Sequence, residues 1–493
     1  MTTDGLLICG GMLVPRWNAA DAPPLADGAL YAEAGRVVAI GPRAALEARW
    51  PAARRLGGAA QLVLPGFVNA HAHGRGLSTF QMGQADEPLE PRVAEFVLRR
   101  DQRGGADPYL DTLYACAKQL AAGITTTVHS HQYMDGPAEA YLAGVRPILD
   151  AYRDSGLRCA FTLGIRDRTD FSIADDPAFL ATVPPALRES GTRPSDCVLT
   201  IERYAEVLRA LQAEYPTIGF QLGPWNPVFC SDALLGALAA LSAREGWRIQ
   251  THLVETRHQA AYGRRTRGVS WVRHLASIGL LSERFSGAHG VWLDDGDIEI
   301  LAGSGAQLVH NPGSNLRLRS GLAKLRALLD GGVPVAFGLD SLSINDDDDM
   351  LQDLRVGRLV QGSWGVDGAA IPAATMLQMA TTTGARVAGV AGAGTLAEGG
   401  PADVVLVDRA ALLGGAPGEP DLAEALLTRG RAAHVRSVVI GGRVMVEDGR
   451  WTGRAPADLQ AGLAAGATPL PALTPAARAL KDAVRDQVRR HDA

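Results

Sequence analysis

Several things this sequence lacks narrow its biology before any motif is read. Its five cysteines (Cys9, Cys116, Cys159, Cys197 and Cys230) are odd in number, widely scattered and without a Cys-x-x-Cys pair. That usage argues against a disulfide framework and fits a reducing compartment, so a cytoplasmic location is expected. No basic-then-apolar leader opens the chain and no uncharged apolar run is long enough to span a bilayer, so no membrane partner is expected. Charge of one sign is not in excess: 48 basic and 53 acidic residues leave a net charge of −5, which gives nucleic acid no basic footprint to bind. Internal repeats and low-complexity blocks are missing too. The 47% hydrophobic and 20% charged residues are ordinary for a folded protein, and 493 residues exceed one simple core. One large domain with a smaller one is therefore expected.

Short strand-and-turn patterns with glycine punctuation occupy both ends of the chain, at residues 6–14 and 29–41 and again at 402–408 and 435–446. They are expected to combine into one small β-sandwich domain formed by residues 1–60 and 398–455. The segment 456–493, rich in Ala, Pro and Arg, reads as a peripheral tail ending in a helix.

Between the ends, over 61–397, apolar strand-like runs alternate with helical stretches, the pattern of βα units around a parallel sheet. The first run, Leu62-Val63-Leu64, is interrupted by Pro65-Gly66, resumes at Phe67-Val68 and ends in His71 and His73. Seven more follow at 124–131, 158–166, 218–223, 248–253, 285–290, 307–310 and 333–340. Eight such units can close a (β/α)8 barrel. His71, His73, His129, His131, His252, His289, His310 and Asp340 all fall at or near the C-terminal ends of these runs, the face on which such barrels place their chemistry. That accounts for seven of the eleven histidines; His258, His274, His434 and His491 read as ordinary packing or surface residues.

Side chains at i and i+2 of a strand share a face, so His71 and His73 can reach one point. Thr251-His252-Leu253-Val254-Glu255 adds a histidine with a carboxylate just beyond it, Gly287-Ala288-His289 another histidine, and Gly338-Leu339-Asp340 an aspartate. Three histidines and one aspartate can hold a single Zn²⁺-like ion and leave a position for water, whose pKa then falls toward neutrality. Zn²⁺ is the first expectation, with Fe²⁺ and Mn²⁺ compatible with the same donors.

The segments PGFVNAHAHG, THLVE, AHGVWL, HNPGSNLRL and GLDS, in this order, resemble the amidohydrolase superfamily over roughly residues 1–450. Within it the chain looks closest to the branch of cytosine, guanine and S-adenosylhomocysteine deaminases and s-triazine hydrolases. The resemblance implies that His71, His73, His252 and Asp340 ligate the metal. It implies that Glu255 shuttles protons, that His289 orients water or polarises the substrate, and that Asp340 accepts a second proton. Two-metal relatives usually carry a lysine at the end of the fourth strand; here that strand reads Phe220-Gln221-Leu222-Gly223-Pro224-Trp225, so one ion is expected. His129 and His131 are left with three readings: lining the substrate pocket, holding a second ion, or structure. Arg166, Asp167 and Trp225, past the third and fourth strands, and Arg75, Phe80 and Gln81, in the long loop after the first, are candidates for substrate contact, and His310 is expected to shape the pocket. Asp346 to Asp349 reads as a helix cap.

The resulting expectation is a metal-dependent hydrolase that releases ammonia or an amine from a small nitrogen-rich compound, working as a homo-oligomer, dimer or tetramer. Amide, carbamate or urea hydrolysis at the same site is the alternative. An inactive scaffold barrel is remote, because such relatives lose the ligands that are all present here.

Overall fold

The computed structural model describes residues 5–98, 107–131, 137–168, 176–188, 199–363, 365–415, 418, 420–466 and 472–492. Its centre is a parallel sheet of eight strands: β1 (Phe67–Ala72), β2 (Ile124–Ser130), β3 (Arg158–Ile165), β4 (Gly219–Pro224), β5 (Ile249–Leu253), β6 (Phe285–His289), β7 (Gln307–His310) and β8 (Val335–Phe337). Each pairs with the next in sequence order. The ring closes just past β8, where Ala72 bridges Asp340 and the Asp340 amide donates to the His71 carbonyl at 2.8 Å. All eight expected strands exist, with ends shifted by a few residues.

Parallel strands with both faces covered are apolar on both. Small inward side chains (Val68, Ala70, Val128, Ala160, Val309 and Ala336) pack at the base against Ala385 and Ala388 of the helix Gly384–Ala388. Large outward ones, among them Phe161, Phe285 and Phe337, join Tyr152 and Tyr204 of the surrounding helices in the main core.

Both chain ends do form one small domain, a single nine-stranded sheet. Along it run Arg450–Trp451, Arg443–Glu447, Val435–Ile440, Val404–Asp408, Arg54–Pro65, Leu6–Leu13, Gly28–Glu33 and Arg36–Pro42, with Leu25–Ala26 paired to Leu6–Leu13. This places Leu62-Val63-Leu64 differently from the sequence reading. They pair with Val407, Leu406 and Val405 in the terminal sheet and are not the start of the barrel. Pro65-Gly66 is the crossing between sheets rather than an irregularity within one strand. A Cβ on Gly66 would lie 2.1 Å from Thr125 Oγ1, so only glycine passes there.

The C-terminal helix, Pro475–Asp492, is not peripheral. It packs on Leu89–Leu98 and Arg257–Arg267 at the barrel mouth, with Leu480 and Val484 against Ala94 and Phe179. Cys9, Cys116, Cys159 and Cys230 are buried thiols, and Cys197 lies outside the described residues. Among the described residues no helix is long and apolar enough to cross a membrane.

Candidate metal centre

His71 and His73 stand at the end of β1, His252 on β5, His289 at the end of β6, and Asp340 just after β8. The imidazole rings of His71, His73 and His252 have centroids 5.0 to 5.5 Å apart, and the His289 ring lies 5.6 Å from that of His71. His73 Nε2 is 2.9 Å and His71 Nε2 3.7 Å from Asp340 Oδ1. Four elements distant in the chain thus aim donors at one point.

The second nitrogen of each ring decides what the first can do. His71 Nδ1 lies 2.9 Å from Gln250 Oε1, His73 Nδ1 2.7 Å from the Ser130 carbonyl, and His252 Nδ1 2.7 Å from the Trp225 carbonyl. His289 Nδ1 is 2.8 Å from Asn315 Oδ1. Each of these partners is an acceptor, so Nδ1 carries the proton and Nε2 presents its lone pair inward. Burial, foremost, pushes the His71 imidazole down to about 3 and His252 well below its usual range, so both rings are neutral at physiological pH. Burial would raise the Asp340 carboxyl, but the imidazoles that face it, His73 first and then His71 and His289, outweigh burial and hold it well below the carboxylate range. His71 Nε2, His289 Nε2 and Asp340 Oδ1 are buried and make no hydrogen bond. Orphaned donors of this kind are costly unless an ion takes them. The residues fit a divalent cation.

The backbone is bent to present them. Val254, His289 and Asp340 have φ of +46°, +79° and +56°. Non-glycine residues in the left-handed region cost about 1–3 kcal/mol each and persist where the surroundings over-determine them. Gly338 lets β8 approach: a Cβ there would sit 2.4 Å from Asn311 Oδ1 and 3.0 Å from His71 Cβ.

Glu255 is 2% exposed. One carboxylate oxygen accepts from Ser320 Oγ at 3.3 Å and the other lies 3.7 Å from His289 Nε2. Burial, with Asp340 adding repulsion, raises its pKa, which suits a group that takes up and returns a proton. Ser314 Oγ donates to Asp340 Oδ2 at 2.5 Å.

A cavity of about 1160 Å³, its open mouth included, runs from His73, His252, Glu255 and Asp340 past Trp225 to the C-terminal helix. Trp225 lines that cavity. Arg166 is buried behind it, its guanidinium 4.7 Å above the Trp225 ring, and supports that wall. Other expected contacts lie elsewhere. His129 and His131 share a face, but it is the outward one: both rings pack near Phe161, 4.7 and 5.3 Å between centroids, and His129 Nδ1 is 2.9 Å from the Tyr152 hydroxyl. They sit in the layer between strands and helices and do not line the cavity. His310 is buried beside Phe337 in the same layer and lines no part of the cavity. Gln81 is exposed and its Oε1 accepts from the Ser78 amide as a turn cap; Thr79, Gln84 and Arg92 line the pocket from that loop and helix instead. In the acidic run, Asp349 caps Met350–Gln361 as expected, accepting from the Leu351 and Gln352 amides.

Sequence reasoning missed Gln250, Asn315, Ser314 and Ser320, which fix the ligands and Glu255. Gln250 carried a signal, lying two residues before His252 and so on the same strand face. Asn315 and Ser314 fall within HNPGSNLRL, one of the segments that carry the family resemblance.

A family model described as the amidohydrolase family matches residues 62–445. A 5′-deoxyadenosine deaminase of Methanothermobacter thermautotrophicus is 30% identical over 352 residues, covering 71% of this chain and 74% of the relative. A 5-methylthioadenosine/S-adenosylhomocysteine deaminase of Syntrophobacter fumaroxidans is 31% identical over 433 residues, covering 84% and 87%. In fold, the chain is similar to a zinc-bound adenosine deaminase of Xanthomonas campestris, with a TM-score of 0.75, 24% identity and 98% of each chain covered.

Proposed function

The chain belongs to the amidohydrolase family and is a metal-dependent hydrolase of carbon–nitrogen bonds other than peptide bonds; from that premise we propose that it deaminates a 6-aminopurine nucleoside. The observation that carries this reading is the buried Glu255 carboxylate beside His289 and the four inward donors. Deamination needs one group that moves a proton from water to a ring nitrogen, and Glu255 is placed and tuned for it. The names of the relatives supply the substrate class.

We assign His71, His73, His252 and Asp340 as ligands of one ion, zinc by preference, since three histidines and a carboxylate suit it. Such an ion supplies Lewis acidity that brings the pKa of a water toward neutrality. His289, its Nδ1 proton committed to Asn315, offers Nε2 as an acceptor that orients the attacking water. Glu255 takes a proton from that water and delivers it to the purine nitrogen next to the amino-bearing carbon. Oxygen adds to that carbon, the C–O bond forming as the ring C=N electrons move onto the protonated nitrogen. The Asp340 carboxylate takes the second proton of the former water and passes it to the amino group, and the C–N bond breaks as the C=O bond forms, releasing ammonia. Trp225 and Phe229 supply flat apolar surface beside the ligands for a purine ring.

The test is ammonia release from 5′-deoxyadenosine, 5′-methylthioadenosine and adenosine by zinc-loaded protein, beside amine release from anilides and ureas. Turnover confined to the anilides and ureas would overturn the proposal.

A further inference from the structure

The family match ends at residue 445, yet the cavity is finished by residues beyond it: Val484, Gln487 and Val488 of the helix Pro475–Asp492 line it. Val484 and Val488, one turn apart, share a face. Both pack in one apolar cluster with Phe179, and Leu89 and Val93 of the helix Leu89–Leu98 line the same cavity, which therefore carries an apolar wall. The helix is fastened beside that wall by charge. Lys481, 12% exposed, pairs with Glu87 at 2.5 Å and with Glu95, and Arg485 reaches Glu87 at 3.4 Å. An exposed pair would contribute little, but two carboxylates converging on one part-buried ammonium fix a position. The helix is thereby held over the mouth by contacts that do not themselves use the cavity.

A bare aminated heterocycle seated among the inward donors would offer nothing to the part-exposed Val488 on the cavity lining. We propose that the C-terminal helix is the specificity wall of the enzyme, and that the substrate carries an apolar substituent, distal to the carbon attacked, which packs on Val484 and Val488. Lys481 is then a positioning residue that never meets the ligand. The substituent rests on the deaminase reading given above only for the compound that bears it; the wall itself does not.

The experiment uses the full-length zinc enzyme and adenosine analogues whose 5′ position bears S-methyl, S-ethyl, S-propyl and S-butyl. Both kcat/KM and the calorimetric dissociation constant are measured along the series. Each buried methylene improves binding by about fourfold where it meets apolar wall. The wild-type enzyme is expected to gain about three- to fourfold per methylene until the wall is reached, chiefly through KM. In Val488→Asn the gain per methylene vanishes, and in Lys481→Gln, which leaves the wall's composition intact, it shrinks. Val484→Ala, a smaller change at a buried position, serves if Val488→Asn fails to fold. A flat series in the wild type, or an unchanged slope in the variants, overturns the wall. Should none of the series be turned over while binding still rises with chain length and flattens in Val488→Asn, the wall stands and the deaminase reading falls.

Discussion

Replacing Glu255 by glutamine separates proton transfer from everything else the site does. The new side chain has the same shape, and its oxygen can keep the hydrogen bond from Ser320 Oγ that the carboxylate accepts at 3.3 Å. Its amide nitrogen would fall where the second carboxylate oxygen now lies, 3.7 Å from His289 Nε2, an acceptor in the tautomer that Asn315 fixes. The buried carboxyl is replaced by a group of the same volume, without a cavity. Folding and metal content should therefore be preserved, and the melting temperature should be equal or slightly higher, since burial disfavours the charge being removed. The chemistry loses its proton carrier, worth typically about 10²- to 10⁴-fold. At about 1.36 kcal/mol per tenfold, kcat should fall by the equivalent of roughly 3–5 kcal/mol, with KM little changed. Steady-state ammonia release, zinc by elemental analysis and a thermal melt on one preparation make the comparison. A variant that keeps its zinc and turns over within threefold of the parent would refute the role given to Glu255.

Other outcomes follow from the same geometry. Gln250→Leu removes the acceptor 2.9 Å from His71 Nδ1 and should weaken zinc binding by about 10- to 100-fold in a chelator competition; unchanged affinity would mean that the ring is held by packing alone. Gly338→Ala drives a methyl to 3.0 Å from His71 Cβ and 2.4 Å from Asn311 Oδ1, and should destabilise the fold by about 1–3 kcal/mol in denaturant while lowering zinc occupancy. Asp353 is buried and raised to about 8, chiefly by burial, from an ordinary 3.8. Between those values the folded state holds a proton that the unfolded chain has lost, so stability falls as pH rises, by at most about 1.4 kcal/mol per unit. Asp353→Asn abolishes that slope and should be more stable than the parent at pH 8, with the gap narrowing toward pH 5; equal differences in melting temperature at the two pH values would contradict it.

The barrel and the gathering of His71, His73, His252, His289 and Asp340 at its mouth were legible because they rest on local rules. Strand ends, the i, i+2 pair His71/His73 and the ordered motifs need no knowledge of what packs where. His129 and His131 show the limit of that reasoning. Period two says that they share a face, but in a strand apolar on both sides it cannot say which face looks inward. Leu62-Val63-Leu64 would suit either sheet, and only pairing with Val404–Asp408, more than three hundred residues away, decides between them. Gln81 and Gln84 are three apart in one loop, where turn geometry rather than periodicity selects the side chain that faces the cavity. The C-terminal helix is plain as a helix, but its partner is set by tertiary contacts with Leu89–Leu98 that no local pattern encodes.

Asp340 is the clasp of a necklace as well as its jewel. Its amide ties the last strand to the first across most of the chain, and its carboxylate stands among the imidazoles. Loosening the clasp and emptying the setting are consequently one event. Heat or acid that frays the ring there should cost activity before the remaining seven rungs feel it. The same coupling leaves designers little freedom around residues 338–341, and far more on the helix that roofs the entrance.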